Sequence, residues 1–201
     1  MTENSNLPSA EKDRSDFKVL IVYPNLPLML VPSIAIALFT RILKDQGYQV
    51  DLFETTHYDT DEIVYSESQI NYSENRVNLL NARSFDVKSD LGINIKTGML
   101  SDFERKVSEF NPDFLVFSVV EDTFLQTLAM LSVVEELNVP HILGGVFPTL
   151  APDSCIAPPV VRMIALGEGE TTVTEVSERV RKDQKLNGIL GTWLKFDNGE
   201  I

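Results

Sequence analysis

Three loop motifs rich in glycine and hydroxyl side chains follow one another along the second half of the chain. They are Ser-Val-Val-Glu-Asp-Thr-Phe at Ser118–Phe124, Gly-Gly-Val-Phe-Pro-Thr at Gly144–Thr149, and Leu-Gly-Glu-Gly-Glu at Leu166–Glu170. Each motif directly follows a short apolar run that is typical of a buried strand. In an open parallel α/β sheet, the loops at the carboxyl ends of the strands form the ligand crevice. The three motifs therefore predict one long binding cleft for a single large ligand.

The glycine pair Gly144-Gly145 is the most informative of these motifs. Two glycines let a backbone pass close beneath a planar group, or turn with a positive φ. Phe147 and Thr149 would then add an apolar wall and a hydroxyl. A flexible turn explains the same residues about equally well, so the pair alone leaves both interpretations open. If a ligand does pass here, Gly145→Val should block it and leave the fold intact.

The residues that could carry acid–base or nucleophilic chemistry have simpler explanations. Thr123 is a plausible helix N-cap, and Glu121 suits the start of the same helix electrostatically. Glu168 has no obvious partner for catalysis, and we expect it to order its loop by accepting backbone N–H bonds. Cys155 has no catalytic partner nearby in sequence, which favours a small buried residue. We identify no catalytic residue and no protein ligand for a metal.

The loop after the first strand argues against a phosphate-binding turn. It runs Pro24–Pro32 without a glycine, whereas a Rossmann phosphate loop needs several to approach a pyrophosphate. It is instead apolar and stiffened by proline. It could form a floor under a large flat ligand, although packing into the domain's own core is the commoner use of such a loop.

Composition excludes several classes of partner. The 201 residues carry a net charge of −13, which disfavours nucleic acids and anionic membranes. The longest apolar stretch, Leu26–Phe39, contains two prolines and is too short to span a bilayer. Met1–Asp16 lacks the apolar core of a signal peptide, so we expect a cytoplasmic protein with a disordered tail over 1–16. The single cysteine excludes an internal disulfide and a cysteine-clustered metal site.

The predicted elements alternate between strands and helices, which indicates an α/β doubly wound parallel sheet of five strands. Residues 55–99 interrupt the alternation as an insertion after the second strand, and residues 188–201 suggest a terminal hairpin with an Asn198-Gly199 turn. The expected strands are Phe17–Tyr23, Tyr48–Glu54, Asp113–Val119, His141–Gly144 and Val161–Leu166. The expected helices are Ser33–Gln46, about Leu100–Phe110, Thr123–Leu137, Ala151–Ala157 and Glu170–Lys182.

Taken in this order, the motifs resemble the cobalamin-binding domain of cobalamin-dependent radical S-adenosylmethionine (radical SAM) enzymes. The resemblance covers about Phe17–Ile201 and depends most on the spacing of Gly-Gly and Gly-Glu-Gly-Glu. It implies a flavodoxin-like (Rossmann-like) domain over 17–201 that holds cobalamin. The corrin would lie across the carboxyl ends of the strands, with the dimethylbenzimidazole tail inserted beside the sheet.

The resemblance also implies which residues contact the cofactor. Asn25, Leu26, Leu28 and Met29 would face the lower side of the corrin. The three loops would contribute Ser118, Val120, Glu121, Thr123, Gly144, Gly145, Val146, Phe147, Thr149, Leu166, Gly167, Glu168 and Gly169.

Two departures from related cobalamin proteins refine the prediction. Neither His57 nor His141 lies in the Asp-x-His-x-x-Gly motif that supplies cobalt with a histidine, so we expect no histidine ligand. The chain also lacks Cys-x-x-x-Cys-x-x-Cys. A 4Fe–4S cluster and S-adenosylmethionine would therefore belong to a radical SAM barrel, in the same full-length chain or in a separate subunit. We expect the parent system to be a methyltransferase and this chain alone to be inactive.

Two other classes of function stay open. One is a stand-alone sensor or carrier for cobalamin or another planar cofactor. The other is a flavodoxin-like protein that acts on a nucleotide, which the missing glycine loop after the first strand disfavours.

Overall fold

The computed structural model describes residues 11–27, 29, 33–60, 63, 89–90 and 92–201. Six strands in this part of the chain form one sheet in the order β2-β1-β3-β4-β5-β6. The first five run parallel, and β6 runs antiparallel to β5. The strands are β1 (Lys18–Tyr23), β2 (Gln49–Glu54), β3 (Phe114–Ser118), β4 (His141–Gly144), β5 (Met163–Ala165) and β6 (Thr192–Leu194). The parallel order 2-1-3-4-5 is that of the flavodoxin-like fold, and it reverses between β1 and β3.

Helices connect the strands and cover both faces of the sheet. They are α1 (Ile34–Asp45), α2 (Met99–Phe110), α3 (Phe124–Val133), α4 (Val146–Leu150), α5 (Pro152–Ile156) and α6 (Glu170–Arg181). Single 3₁₀ turns, Glu121–Thr123 and Glu135–Leu137, flank α3. Among the described residues, no helix is both long and apolar enough to cross a membrane.

The alternation of side chains along β1 divides the interior into two hydrophobic cores. Val19 and Ile21 point to the core under α1 and α6, where Leu43 is buried. Leu20 and Val22 point to the core under α2 and α3. A continuous apolar strand buried on both faces is what a parallel sheet between two helical layers requires.

The predicted strands and long helices are confirmed, mostly within two residues at each end. At the C-terminus the structure adds a sixth strand to the sheet, which the five-stranded prediction did not include. The turn at the end of the chain forms, with Gly199 N–H donating to Phe196 O at 2.9 Å, but β6 pairs with β5 through Ile164 and Trp193. The free edge of β5 offers unpaired backbone groups, which explains why the segment adds a sixth strand to the sheet. The short helix α4 was not predicted.

Residues 11–16, where we expected disorder, are held against the domain by ion pairs. The Lys12 ammonium lies 2.8 Å from the Asp113 carboxylate, and Arg14 Nε lies 3.2 Å from Glu178 Oε2. Residues 1–10 of the expected tail lie outside the described part of the chain.

Most of the predicted insertion over residues 55–99 also lies outside the described part. Its described ends meet where Tyr58 and Lys96 form a parallel β-bridge.

Candidate functional site

A cavity of about 490 Å³ opens at the carboxyl ends of β3, β4 and β5, between α1 and α6. This volume falls within the roughly 300–1,000 Å³ of typical small-molecule sites. The sheet contributes Val116, Phe117, Ser118, Ile142, Gly144 and Ala165 to the wall. Helices α1, α4 and α6 contribute Ile34, Ala35, Leu38, Phe39, Val146, Thr149, Leu150, Glu170, Thr172 and Val173, and the loops contribute Gly145, Gly167, Glu168 and Gly169.

Small residues at the ends of three neighbouring strands create this space. Ser118 ends β3 and pairs in register with Gly144, which ends β4. Ala165 ends β5, and a Cβ added at Gly144 would lie 3.9 Å from the Cβ of Ala165. Further down the strands the same face carries Val116 and Ile142, which form the floor of the cavity together with buried Ala165 and with Val173 of α6. The change from large to small side chains along each strand therefore opens the cavity only at the carboxyl edge.

The first half of α1 forms one wall of the cavity. Among the described residues of α1 only Leu43, near its carboxyl end, is fully buried. Ile34 is 84% exposed and Leu38 is 37% exposed, although both are large and apolar. Both line the cavity. The amino half of the helix thus presents apolar side chains to the cavity instead of packing them into the core.

The backbone at Gly145 lies directly against the loop after β3. Gly145 has φ 113° and ψ −164°, a conformation open essentially to glycine alone. A Cβ here would lie 2.6 Å from the carbonyl oxygen of Val119. Our expectation that Gly145→Val would leave the fold intact is therefore wrong, because the protein itself requires this glycine.

Thr149 joins the second loop to the third. Its hydroxyl donates to Gly145 O at 2.8 Å and accepts the N–H of Gly167 at 3.0 Å. The third loop is therefore held at Gly167 by the threonine hydroxyl. The Glu168 side chain, which we expected to order this loop, is exposed.

Gly169 serves a different purpose from the other loop glycines. A Cβ at this position would lie 2.5 Å from the ring of Phe39. The missing side chain therefore lets α1 approach the start of α6 and close the cavity at that end.

Several residues that the motifs predicted do not line the cavity. Thr123 is buried, and its hydroxyl donates to Val120 O at 3.2 Å, so it does not make the expected cap bond. Phe147 packs on Phe124 with ring centroids 4.7 Å apart. Leu166 packs against the core on the α2 and α3 side of the sheet, as Phe147 does.

Two further predicted residues, Val120 and Glu121, lie on the surface beyond the end of β3 and outside the cavity wall.

Asn25 holds the loop after β1 in place. It is buried, its backbone N–H donates to the Thr55 hydroxyl at 2.7 Å, and its side-chain amide donates to Met29 O at 2.8 Å. The side-chain amide of Asn25 therefore stabilises the loop to which it belongs. Leu26 is half-buried, Met29 is exposed, and Leu28 lies outside the described residues.

The charges at the cavity mouth are negative. Glu168 and Glu170 belong to its wall, and no lysine or arginine does among the described residues. Phosphate-rich ligands are usually held by cations or by glycine loops at helix N-termini. A neutral, largely apolar ligand suits this wall better than a nucleotide di- or triphosphate.

The histidines and the cysteine lie away from the cavity wall. His141 begins β4 at the opposite edge of the sheet, where its Nε2 accepts the N–H of Arg162 at 3.2 Å and burial lowers its pKa. His57 follows β2 and lies beside Tyr58 and α2. Cys155 is buried as expected, and burial raises the pKa of its thiol to about 12, which disfavours the reactive thiolate at neutral pH.

Sequence reasoning missed the helical walls of the cavity. The apolar residues of α1 fit a helix packed on the core, and nothing in their spacing marked Ile34 and Leu38 as cavity residues. One signal was available: α1 carries apolar side chains at more positions than one buried face needs. Thr172 and Val173, at the start of α6, carried no comparable signal.

A family model described as "B12 binding domain" matches residues 77–177. An uncharacterized methyltransferase of Pyrococcus horikoshii is 26% identical over 104 residues, which are 50% of this chain and 22% of that protein.

Solved structures with the same fold include two radical SAM enzymes. The methyltransferase TsrM from Kitasatospora setae, solved with cobalamin and a 4Fe–4S cluster bound, matches with a TM-score of 0.61 and 16% identity over 90% of this chain and 28% of that chain. The cobalamin-dependent enzyme OxsB, with aqua-cobalamin and S-adenosylmethionine bound, matches with a TM-score of 0.54 and 18% identity over 92% and 22%. The chain spans less than a third of the length of these relatives.

Proposed function

Because this chain belongs to the B12 binding domain family, we propose that it binds one cobalamin at the carboxyl edge of its sheet, with the nucleotide tail of the cofactor in the cavity between α1 and α6. The observation that carries the proposal is the apolar cavity that small strand-end residues open beside the three loops. The relatives TsrM and OxsB have been solved with cobalamin bound on the same fold.

The cavity fits the tail in its chemistry. The tail ends in dimethylbenzimidazole, a flat, neutral and mostly apolar ring system. Val116, Ile142 and Val173 offer it carbon surface, and Phe39 offers an aromatic ring. Apolar and aromatic walls with a few polar groups are usual for cofactor sites.

The exposed apolar side chains at the carboxyl edge suit the corrin. Val120, Val146 and Met29 are large, apolar and exposed, and each follows a strand on this edge. A corrin laid across the strand ends would cover them and exclude water from its lower face. Half-buried Leu26 would belong to the same surface. In this arrangement Asn25 acts by holding the Met29 loop and does not need to touch the cofactor.

We also propose that this chain gives cobalt no histidine ligand. The support is that His141 lies at the opposite edge of the sheet and that His57 lies beside α2. Bound cobalamin supplies a cobalt centre that carries a methyl group or an electron, and the protein supplies binding and orientation.

Catalysis in this proposal needs a second domain. A radical SAM barrel, in the same full-length chain or in another subunit, would hold the 4Fe–4S cluster and S-adenosylmethionine and would cover the upper face of the corrin. The complete system would be a methyltransferase. The support is that the matched methyltransferases are at least three times longer than the region they share with this chain.

Equilibrium dialysis against hydroxocobalamin tests the binding proposal. We expect one cobalamin per chain, retained in the presence of excess flavin mononucleotide and ATP. Failure to retain cobalamin would contradict the proposal. Displacement by either nucleotide would favour a nucleotide-binding protein of the flavodoxin type instead.

A further inference from the structure

The polar groups of the cavity are few, and its floor is made of carbon. Val116, Ile142, Ala165 and Val173 are all buried and line the inner part of the wall. The side-chain hydroxyl of Thr149 is already bonded to Gly145 O and Gly167 N–H.

Among the described residues of the wall, Ser118 and Thr172 contribute two other hydroxyls. Each can donate one hydrogen bond and accept others. The described part of the wall therefore offers a buried ring about two side-chain hydrogen-bond partners, apart from the glutamates at the mouth.

From this wall we propose that the cavity selects among corrinoids by their lower base, accepting a methylated benzimidazole or a phenolic ring and discriminating against a purine. The inference rests on the proposed function and adds to it a specificity for the tail. An attached adenine keeps three ring nitrogens and an exocyclic amine, and all of them lose water when the ring is buried. Dimethylbenzimidazole keeps one free ring nitrogen, and its two methyl groups suit the carbon floor.

We expect a purine to bind more weakly because the cavity lacks hydrogen-bond partners for some of its polar atoms. Buried polar groups without hydrogen bonds are costly, whereas an apolar ring of similar size loses nothing in this cavity. Apolar pockets reject a ligand that adds one polar group by roughly 100-fold. Since two hydroxyls can satisfy part of the adenine, we expect binding weaker by about 10- to 100-fold.

A binding series of four corrinoids tests the inference without any assay of catalysis. Isothermal titration would compare cobalamin, a cresolyl cobamide, an adeninyl cobamide, and cobinamide, which has no tail. We expect cobalamin and the cresolyl cobamide to bind more tightly than the adeninyl cobamide, and cobinamide to bind most weakly. Adeninyl binding as tight as that of the cresolyl cobamide would overturn the inference.

The same series separates this inference from the proposed function. If all four corrinoids bind equally, the protein binds corrinoids but the cavity does not distinguish their tails. That result would overturn the inference and leave the proposed function intact. If none of them binds, the proposed function fails and the inference fails with it.

A matched pair of variants ties the selectivity to the floor. Ala165→Ser adds a hydroxyl to the floor next to Gly144 and should reduce the preference for cobalamin over the adeninyl cobamide severalfold. Ala129→Ser makes the same change in α3, against the core on the other side of the sheet, and should leave the ratio unchanged. An unchanged ratio in Ala165→Ser would overturn the assignment of selectivity to the floor.

Discussion

Two adjacent glycines, Gly144 and Gly145, should respond to substitution in opposite ways. At Gly144 an added Cβ would lie 3.9 Å from its nearest neighbours, the Cβ of Ala165 and the carbonyl oxygen of Phe117, which is ordinary contact. Replacing a glycine in a strand by alanine also gains roughly 0.5–1 kcal/mol of stability. Because the side chain would point into the cavity, Gly144→Val should keep the fold and fill part of the ligand space.

At Gly145 the same kind of change should damage the fold itself. The backbone there has φ 113° and ψ −164°, which costs a residue with a Cβ about 1–3 kcal/mol. The Cβ would also lie 2.6 Å from the Val119 carbonyl oxygen, and forced rearrangements of this kind cost about 1–3 kcal/mol. The sum, about 2–6 kcal/mol, is a large part of the roughly 5–15 kcal/mol that stabilises a domain.

Urea unfolding and equilibrium dialysis against hydroxocobalamin measure the two effects separately. Gly144→Val should unfold within about 1 kcal/mol of the unmodified protein and bind cobalamin at least about 100-fold more weakly. Gly145→Ala should lose stability whether or not cobalamin is present. Unchanged affinity in Gly144→Val would refute the cavity as the site of the tail. Unchanged stability in Gly145→Ala would refute the backbone contact with Val119.

Three further predictions concern titrating side chains outside the cavity. The double variant His57→Ala, His141→Ala should keep the absorption spectrum of bound cobalamin, and a shifted spectrum would identify a cobalt ligand. Burial raises the pKa of Cys155 from 9.0 to about 12, so its contribution to the free energy of unfolding is complete below pH 9 and is lost as pH rises towards 12. Cys155→Ala should reduce the fall of stability above pH 9 by up to about 1.4 kcal/mol per pH unit, and parallel curves would contradict this. Ion pairs and hydrogen bonds hold the pKa of Glu178 far below its usual range, so Glu178→Gln should lower stability at pH 7 by about 1–3 kcal/mol in thermal denaturation. The control Glu175→Gln, which removes a single ion pair of a half-buried side chain, should lower it by no more than about 0.5 kcal/mol.

The strands could be predicted because successive residues of a buried strand all lie in the same apolar environment. The run from Lys18 to Tyr23 is apolar on both faces, as a strand between two helical layers must be. Helices and strands alternate cleanly after residue 99, which indicates a parallel sheet. The partner of β6 could not be read in this way. Trp193 and Leu194 have the pattern of a strand, but only the position of β5 at an open edge decides where they pair.

The candidate site could be predicted only as a set of loops. The motifs contain Ser118, Gly144 and Gly167, which line the cavity. They did not give side-chain direction, and Phe147 lies within the same motif as Gly144 yet packs on the other side of the sheet. The floor and the helical wall arise from contacts between distant parts of the sequence, such as the approach of Phe39 to Gly169, which local spacing does not contain.

The cavity shares its floor with one of the two hydrophobic cores. Val116, Ile142 and Val173 belong to both. A molecule bound there becomes part of the folded interior, so its concentration enters the folding equilibrium by mass action. At a free concentration of 100 times its dissociation constant, such a ligand adds about 2.7 kcal/mol to the stability of the domain. The supply of the ligand would then influence how much of the chain is folded.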